Sequence, residues 1–231
     1  MSSAEVLASV DIVALRLDCE AQLELLVLRR PRAPFAGQWA LPGVLVNGRS
    51  ADVSLEAAAA RALASKARLQ PAYLEQVATL GNAVRDPRGW SLSTFYLALV
   101  PPQAQVEGED LRFVPLAEVL QGRLPLPFDH LHLVRQAGER LASKAVYSGV
   151  PLYLLEEHFT VTEALAAFQA CIGQPVQHTT LRGRLERMKS EGWILDTGEK
   201  NQPRRGRPQT VWRHTPRQSQ GVFTFDRSVL I

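Results

Sequence analysis

Two groups of residues in this chain have types and spacings that could do chemistry. The first is the run Arg85-Asp86-Pro87-Arg88-Gly89-Trp90, set between two apolar segments, with Trp39 in an earlier loop. A guanidinium forks onto phosphate oxygens, and an indole stacks on a nucleobase. Residue types alone leave a second reading equally open, in which both tryptophans are core or rim packing and Arg85 pairs with Asp86. The second group is basic and lies near the C-terminus. Gln177, His178, Thr179, Thr180, Arg182, Gly183, Arg184 and Arg187 fall on or just before one predicted helix. Arg204, Arg205 and Arg207 follow on the tip Pro203–Pro208.

On a helix lying in a major groove, arginine can fork onto guanine and threonine can touch base edges or phosphate. Gly183 would let the backbone approach closely. A basic tip without apolar residues can lie along phosphates or enter the minor groove. The bland alternatives are a solvated basic face, a surface pair between Arg182 and Glu186, and His178 as an ordinary surface histidine.

Charge placement favours a polyanion partner. The net charge is +3, and all of the excess lies beyond residue 149. Between residues 178 and 217, 10 Lys and Arg stand against 4 Asp and Glu, which fits a basic module joined to a neutral one. Hydrophobic residues at 46% and charged residues at 21% exclude a disordered chain. Cys19 and Cys171 offer neither metal-ligand spacing nor a disulfide framework. Asp11 interrupts the first apolar run, which argues against a signal peptide, and no stretch reaches the ~18 apolar residues of a membrane span.

The elements that must position these groups are legible from periodicity. Strands are predicted at Val10–Leu17, Leu23–Arg29, Glu75–Ala83, Leu92–Val100 and Leu111–Pro115, with loop over Pro31–Pro42. Ser54 can cap a helix to about Arg68, with Glu56 in its first turn. A short helix at Leu116–Leu120 and a longer one at His130–Val146 follow. Beyond these the pattern predicts helices at Leu152–Glu157, Thr162–Ile172 and Thr179–Glu191. A strand at Trp193–Leu195 then returns at Val211–Arg213, with Asp196–Thr210 as the tip. Leu181, Leu185 and Met188 make one apolar stripe, with Thr179, Arg182, Gly183, Glu186 and Arg187 roughly opposite.

The first half resembles a Nudix hydrolase domain in its two strands, in the loop Gly37-Gln38-Trp39-Ala40-Leu41-Pro42-Gly43, and in the helix bearing Arg61. The signature of that family is Gly-x5-Glu-x7-Arg-Glu-U-x-Glu-Glu-x-Gly-U, where U is aliphatic. Aligned on Arg61, with Leu63 and Leu69 as aliphatic positions, its carboxylate positions hold Ala62, Ser65 and Lys66. Val53 stands at the first glutamate and Arg68 at the second glycine. A Mg²⁺ site needs carboxylate oxygens, so the resemblance implies a fold without its hydrolysis. Taken with Phe159-Thr160-Val161-Thr162-Glu163, Thr197-Gly198-Glu199 and Gly206-Arg207-Pro208, the whole chain is similar to the NrtR family, Nudix-related transcriptional regulators of NAD metabolism. His178-Thr179-Thr180 departs from the more basic start expected of its recognition helix.

The resemblance implies an α+β architecture: a Nudix-like α/β/α sandwich with a mixed sheet, then a C-terminal winged helix-turn-helix domain. The expected division is 1–128 for effector sensing, 129–149 as a connecting helix, and 150–231 for DNA binding. The expected function is a cytoplasmic homodimeric repressor of NAD biosynthesis or salvage genes that binds palindromic double-stranded operator DNA, not membranes. Its effector would be ADP-ribose or NAD, held by Trp39, Arg61, Arg85, Asp86, Arg88 and Trp90, with no metal and no catalytic residue. Two alternatives remain at this level. One is an ADP-ribose hydrolase using displaced carboxylates such as Glu56 and Asp52. The other is a module that recruits a partner protein.

Overall fold

A computed structural model of the protein describes residues 6–49, 51–201, 208–215 and 221–225. The chain divides into two compact units; the last boundary falls inside one helix, between Gly138 and Glu139, and the short segments Leu17–Gln22 and Pro101–Gln103 are counted with the second unit. The first unit holds β1 (Leu7–Leu17), β2 (Leu23–Arg29), β3 (Trp39–Ala40), β4 (Gly43–Leu45), α1 (Leu55–Ala67), β5 (Tyr73–Asn82), β6 (Ser91–Leu99), β7 (Leu111–Pro115) and α2 (Leu116–Leu120). The helix α3 (His130–Tyr147) begins in it.

These strands form one mixed sheet in the order β3-β2-β1-β6-β5, with β4 also pairing β1 and β7 pairing β2. β1 and β6 run parallel, in the register Leu7↔Ser91 to Leu15↔Leu99, whereas the pairs β1–β4, β2–β3, β2–β7 and β5–β6 are antiparallel. Val10 to Leu15 of β1 are buried without a gap, as a strand enclosed on both faces requires. Val10, Ile12 and Ala14 pack with Ala58, Ala59, Ala62 and Leu63 of α1. By the two-residue period of a strand, Asp11 and Val13 point to the other face, where His130 at the start of α3 meets Asp11.

Helix α1 starts as expected: the Ser54 side chain accepts from the Ala57 N–H. It ends on Arg68 in the left-handed conformation, φ 53°, where the Leu69 N–H reaches back to Leu63 C=O. That is the turn for which glycine is the usual residue. Two strands arise where loop was expected or nothing was marked. Trp39–Ala40 pairs β2, and Gly43–Leu45 pairs β1. Both are too short for periodicity to reveal, and long-range pairing alone defines them.

The second unit holds the end of α3, a 3₁₀ turn at Val150–Leu154, β8 (His158–Phe159), α4 (Val161–Ile172), α5 (His178–Ser190), β9 (Ile194–Asn201) and β10 (Gln209–His214). The helix expected at Leu152–Glu157 is not formed. Pro151 stands in the first turn of the 3₁₀ segment, Leu155 is extended (φ −100°, ψ 163°), and the chain passes into β8. The hairpin strands are longer than expected, so Asp196–Asn201 belongs to β9 and not to the tip. The three strands run in the antiparallel order β8-β10-β9. Arg204, Arg205 and Arg207 lie outside the described residues.

The core of this unit joins Phe159, Phe168, Leu181, Leu185, Met188 and Trp212 with Phe223 and Phe225. Thr160 and Glu163 form a reciprocal capping box at the start of α4. No helix among the described residues is long and apolar enough to cross a membrane.

Candidate functional site

A cavity of about 400 Å³ opens in the first unit, lined by residues from β1, β2, α1, the β5–β6 loop and the start of α3. Among its lining residues is the buried Asp11, which accepts from Ser93 Oγ at 2.6 Å and faces Arg85 Nη2 at 3.6 Å and His130 Nε2 at 3.8 Å. Gly43 lies opposite Asp11 in the β1–β4 pair, and a Cβ there would overlap Asp11 Oδ1. His130 accepts the Leu41 N–H on Nδ1 at 3.1 Å, and burial pushes its imidazole below the usual histidine range.

The loop after β5 is shaped by its own side chains. Asn82 Oδ1 accepts the N–H groups of Val84 and Arg85, and Asp86 Oδ1 accepts that of Arg88. This turn aims Arg85 inward, where its Nε and Nη2 hold both oxygens of Asp129 at 2.9 and 3.0 Å. The expected alternative partner, Asp86, instead takes Arg88, at 2.7 Å, and the Arg88 hydrogen bond holds its carboxyl below the ordinary range. Arg61 grips Asp52 with two bonds of 2.7 and 2.6 Å and donates to Leu45 C=O at 3.0 Å. The Arg61 bond likewise depresses Asp52. Arg61 thus fastens the loop before α1 to the helix.

The cavity brings together Arg61, Arg85, Asp86 and Arg88 of the expected effector residues. It does not include the two tryptophans. Trp39 is covered by the Arg112 guanidinium 4.2 Å from its ring centre. Trp90 is 45% exposed and packs its ring edge beside Gly81. Neither side chain lines this cavity. In their place the cavity offers Phe128, with the Arg30 guanidinium 4.8 Å over its ring. Sequence reasoning missed Arg30, Arg32, Asp11, Phe128 and His130. The available signal was Asp11 itself, a lone carboxylate in an apolar strand that needs buried partners.

A divalent cation does not fit this site. Ala62 is buried against the sheet, Ser65 and Lys66 are exposed, and no cluster of three potential ligands exists among the described residues. The candidate displaced carboxylates are already engaged. Asp52 belongs to Arg61, and Glu56 caps its own helix end and meets the Tyr96 hydroxyl at 3.3 Å.

In the second unit, α5 buries Leu181, Arg184, Leu185 and Met188 and exposes Gln177, His178, Thr179, Arg182, Gly183 and Arg187, with Thr180 half-buried. Arg184 is therefore a correction: it is not part of the exposed basic face. Positions 181, 184, 185 and 188 share one side of a 3.6-residue helix, so Arg184 belongs to the inward stripe. Its guanidinium lies 4.6 Å over Phe225, and Nη1 donates to Val146 C=O at 2.6 Å, in the last turn of α3. Glu186 pairs with Lys189 at 2.8 Å, not with Arg182. Arg187 meets Glu191 at 3.1 Å, an exposed pair of small energetic weight.

Comparison with known proteins gives a consistent picture. No family model matches the chain. The "ADPR responsive transcriptional repressor NtrR" of Acinetobacter baylyi is 34% identical over 211 residues, 90% of this chain and 81% of that protein. The crystal structure of Shewanella oneidensis NrtR complexed with a 27mer DNA is similar at a TM-score of 0.84 and 38% identity, over 95% of this chain and 99% of that one. The NUDIX domain of Shewanella oneidensis NrtR complexed with ADP ribose is 43% identical at a TM-score of 0.53, over 59% of this chain and 89% of that one.

Proposed function

Because the chain belongs to the NrtR family of Nudix-related transcriptional regulators, we propose that it is a non-enzymatic repressor that binds operator DNA through its second unit and an ADP-ribose-type nucleotide through its first. The observation that carries the DNA half is the division of α5. Its apolar residues and Arg184 are buried in the core, while Thr179, Arg182, Gly183 and Arg187 stand exposed on the other side. A helix anchored on one face and polar on the other suits a major groove. With β9 and β10 as its hairpin, the second unit reads as a winged helix, and Arg204, Arg205 and Arg207 would meet flanking phosphates.

The nucleotide half is supported by the cationic cavity framed by Arg61, Arg85 and Arg88. Hydrolysis is not part of the proposal, because Ala62, Ser65 and Lys66 stand where metal-binding carboxylates are needed. The functional division is residues 1–128 for sensing, 129–149 as connector and 150–231 for DNA. The protein acts in the cytoplasm as a homodimer on a palindromic operator of NAD biosynthesis or salvage genes. Helix α3 is the coupling element: Asp129, just before it, holds Arg85 of the cavity, and Val146 in its last turn accepts from Arg184 of α5. To induce, the nucleotide must bind the DNA-free arrangement better than the bound one.

A mobility shift on the DNA upstream of the protein's own gene, with and without ADP-ribose or NAD, tests the reading. Retardation altered by one of these nucleotides is expected. No retardation at all, or steady Mg²⁺-dependent cleavage of ADP-ribose, overturns it.

A further inference from the structure

The cations around the cavity are of two kinds. Arg61, Arg85 and Arg88 are each locked to a carboxylate, Asp52, Asp129 and Asp86 respectively. Arg30, Arg32 and Lys66 also line the cavity, yet none of the three makes a salt bridge among the described residues. Six cations set against the four carboxylates Asp11, Asp52, Asp86 and Asp129 leave an excess of two positive charges. A diphosphate diester carries one negative charge on each phosphorus, so the excess matches such a group. The remaining walls include Leu28, Leu41, Val44 and Phe128. Apolar walls of this kind strengthen charge interactions inside.

Arg30 is held ready for this task. Its Nε donates to Pro34 C=O at 2.8 Å and its guanidinium carbon lies 4.8 Å from the Phe128 ring centre, so little side-chain freedom is left to lose on binding. Burial lowers its affinity for its proton, a cost that a bound anion would offset. Lys66 projects from α1 at the position where the Nudix signature has a glutamate. A lysine there repels a divalent cation and supplies a positive charge of its own.

We propose that Arg30, Arg32 and Lys66 hold the diphosphate of a nucleoside diphosphate sugar directly, without a divalent cation, Lys66 taking over the charge that a metal supplies in a hydrolase. Arg61, Arg85 and Arg88 then build the cavity and do not chiefly grip the ligand. The proposal rests on the effector reading above and adds to it which side chains meet the phosphates and that no metal mediates.

The test is calorimetric titration of the full chain with ADP-ribose, in EDTA and in Mg²⁺. The wild type should bind equally in both. Lys66→Glu should lose roughly ten- to hundredfold in EDTA, and Arg32→Ala roughly three- to tenfold. Lys66→Arg, which keeps the charge, should recover most of the binding that Lys66→Glu loses. Arg123→Glu, an exposed charge reversal outside the cavity, should also leave binding unchanged. Uncharged adenosine should bind Lys66→Glu and the wild type alike, which a merely misfolded variant would not allow. Binding by the wild type only in Mg²⁺, or undiminished binding by Lys66→Glu in EDTA, overturns this proposal and leaves the effector reading intact. No binding of ADP-ribose to the wild type in either buffer overturns both.

Discussion

Replacing Asp129 by asparagine should unfasten Arg85 from the start of α3 at a large and measurable cost. The Arg85 side chain is 4% exposed and that of Asp129 19%, and two hydrogen bonds of 2.9 and 3.0 Å join them. Removing one charge from a buried pair costs about 3–5 kcal/mol, because the other is left uncompensated. Here Asp11 stays within 3.6 Å of the guanidinium and Ser91 Oγ within 3.4 Å, so the low end applies, about 3 kcal/mol. For a chain of this size that corresponds to a fall in Tm of about 6–12 °C, read by differential scanning calorimetry.

A double-mutant cycle isolates the pair. Arg85→Met with Asp129→Leu should be less damaging than the sum of its single changes by about 2 kcal/mol, since the second change removes the orphan created by the first. A Tm change of under about 2 °C for Asp129→Asn, or additivity within about 0.5 kcal/mol in the cycle, would refute the claim that this pair anchors the cavity wall.

Three further outcomes follow from the same geometry. Arg68→Gly should raise stability by up to about 1 kcal/mol in urea unfolding, because relief of the left-handed residue at φ 53° outweighs the entropy that glycine adds to the unfolded chain. His214 titrates at about 4 in the fold against 6.5 unfolded, chiefly through burial, so the unfolded chain binds the proton that the folded one refuses. Stability is therefore complete above pH 6.5 and is lost as pH falls toward about 4, by roughly 3 kcal/mol. His214→Phe should flatten that part of the profile, while buried His130 adds the same sign in the first unit. On α5, Arg182→Ala and Arg187→Ala should each weaken operator binding and reduce its salt slope by about one counterion if the residue meets phosphate. Arg184→Ala should instead lower Tm and leave the slope unchanged, and the opposite pattern would invert the assignment of the two faces.

How much was legible beforehand differs between the two sites. The basic face of α5 could be read because a helix obeys one local period: once Leu181 and Leu185 are inward, Thr179, Arg182 and Gly183 must point out. Arg184 was misplaced although the same geometry puts it between inward neighbours. An arginine is assigned to water by type, and the nearby carbonyl of Val146 and ring of Phe225 help to make its burial tolerable. In the first unit the residue types at Ala62, Ser65 and Lys66 are legible in the sequence without any fold, because a carboxylate is present at a position or it is not.

The sequence by itself determined the longer strands, the capped starts of α1 and α4 and the exposed polar face of α5, all of which depend on chemistry within a few positions. Only the tertiary structure decided which arginine meets which aspartate. Arg85 passes over its neighbour Asp86 for Asp129, 44 positions away, while Arg88 takes Asp86. Trp39 goes beneath Arg112 instead of into the cavity. Such pairings are chosen by the register of a sheet and the landing place of a helix, where a buried charge must be met by whichever opposite group the whole fold brings within reach.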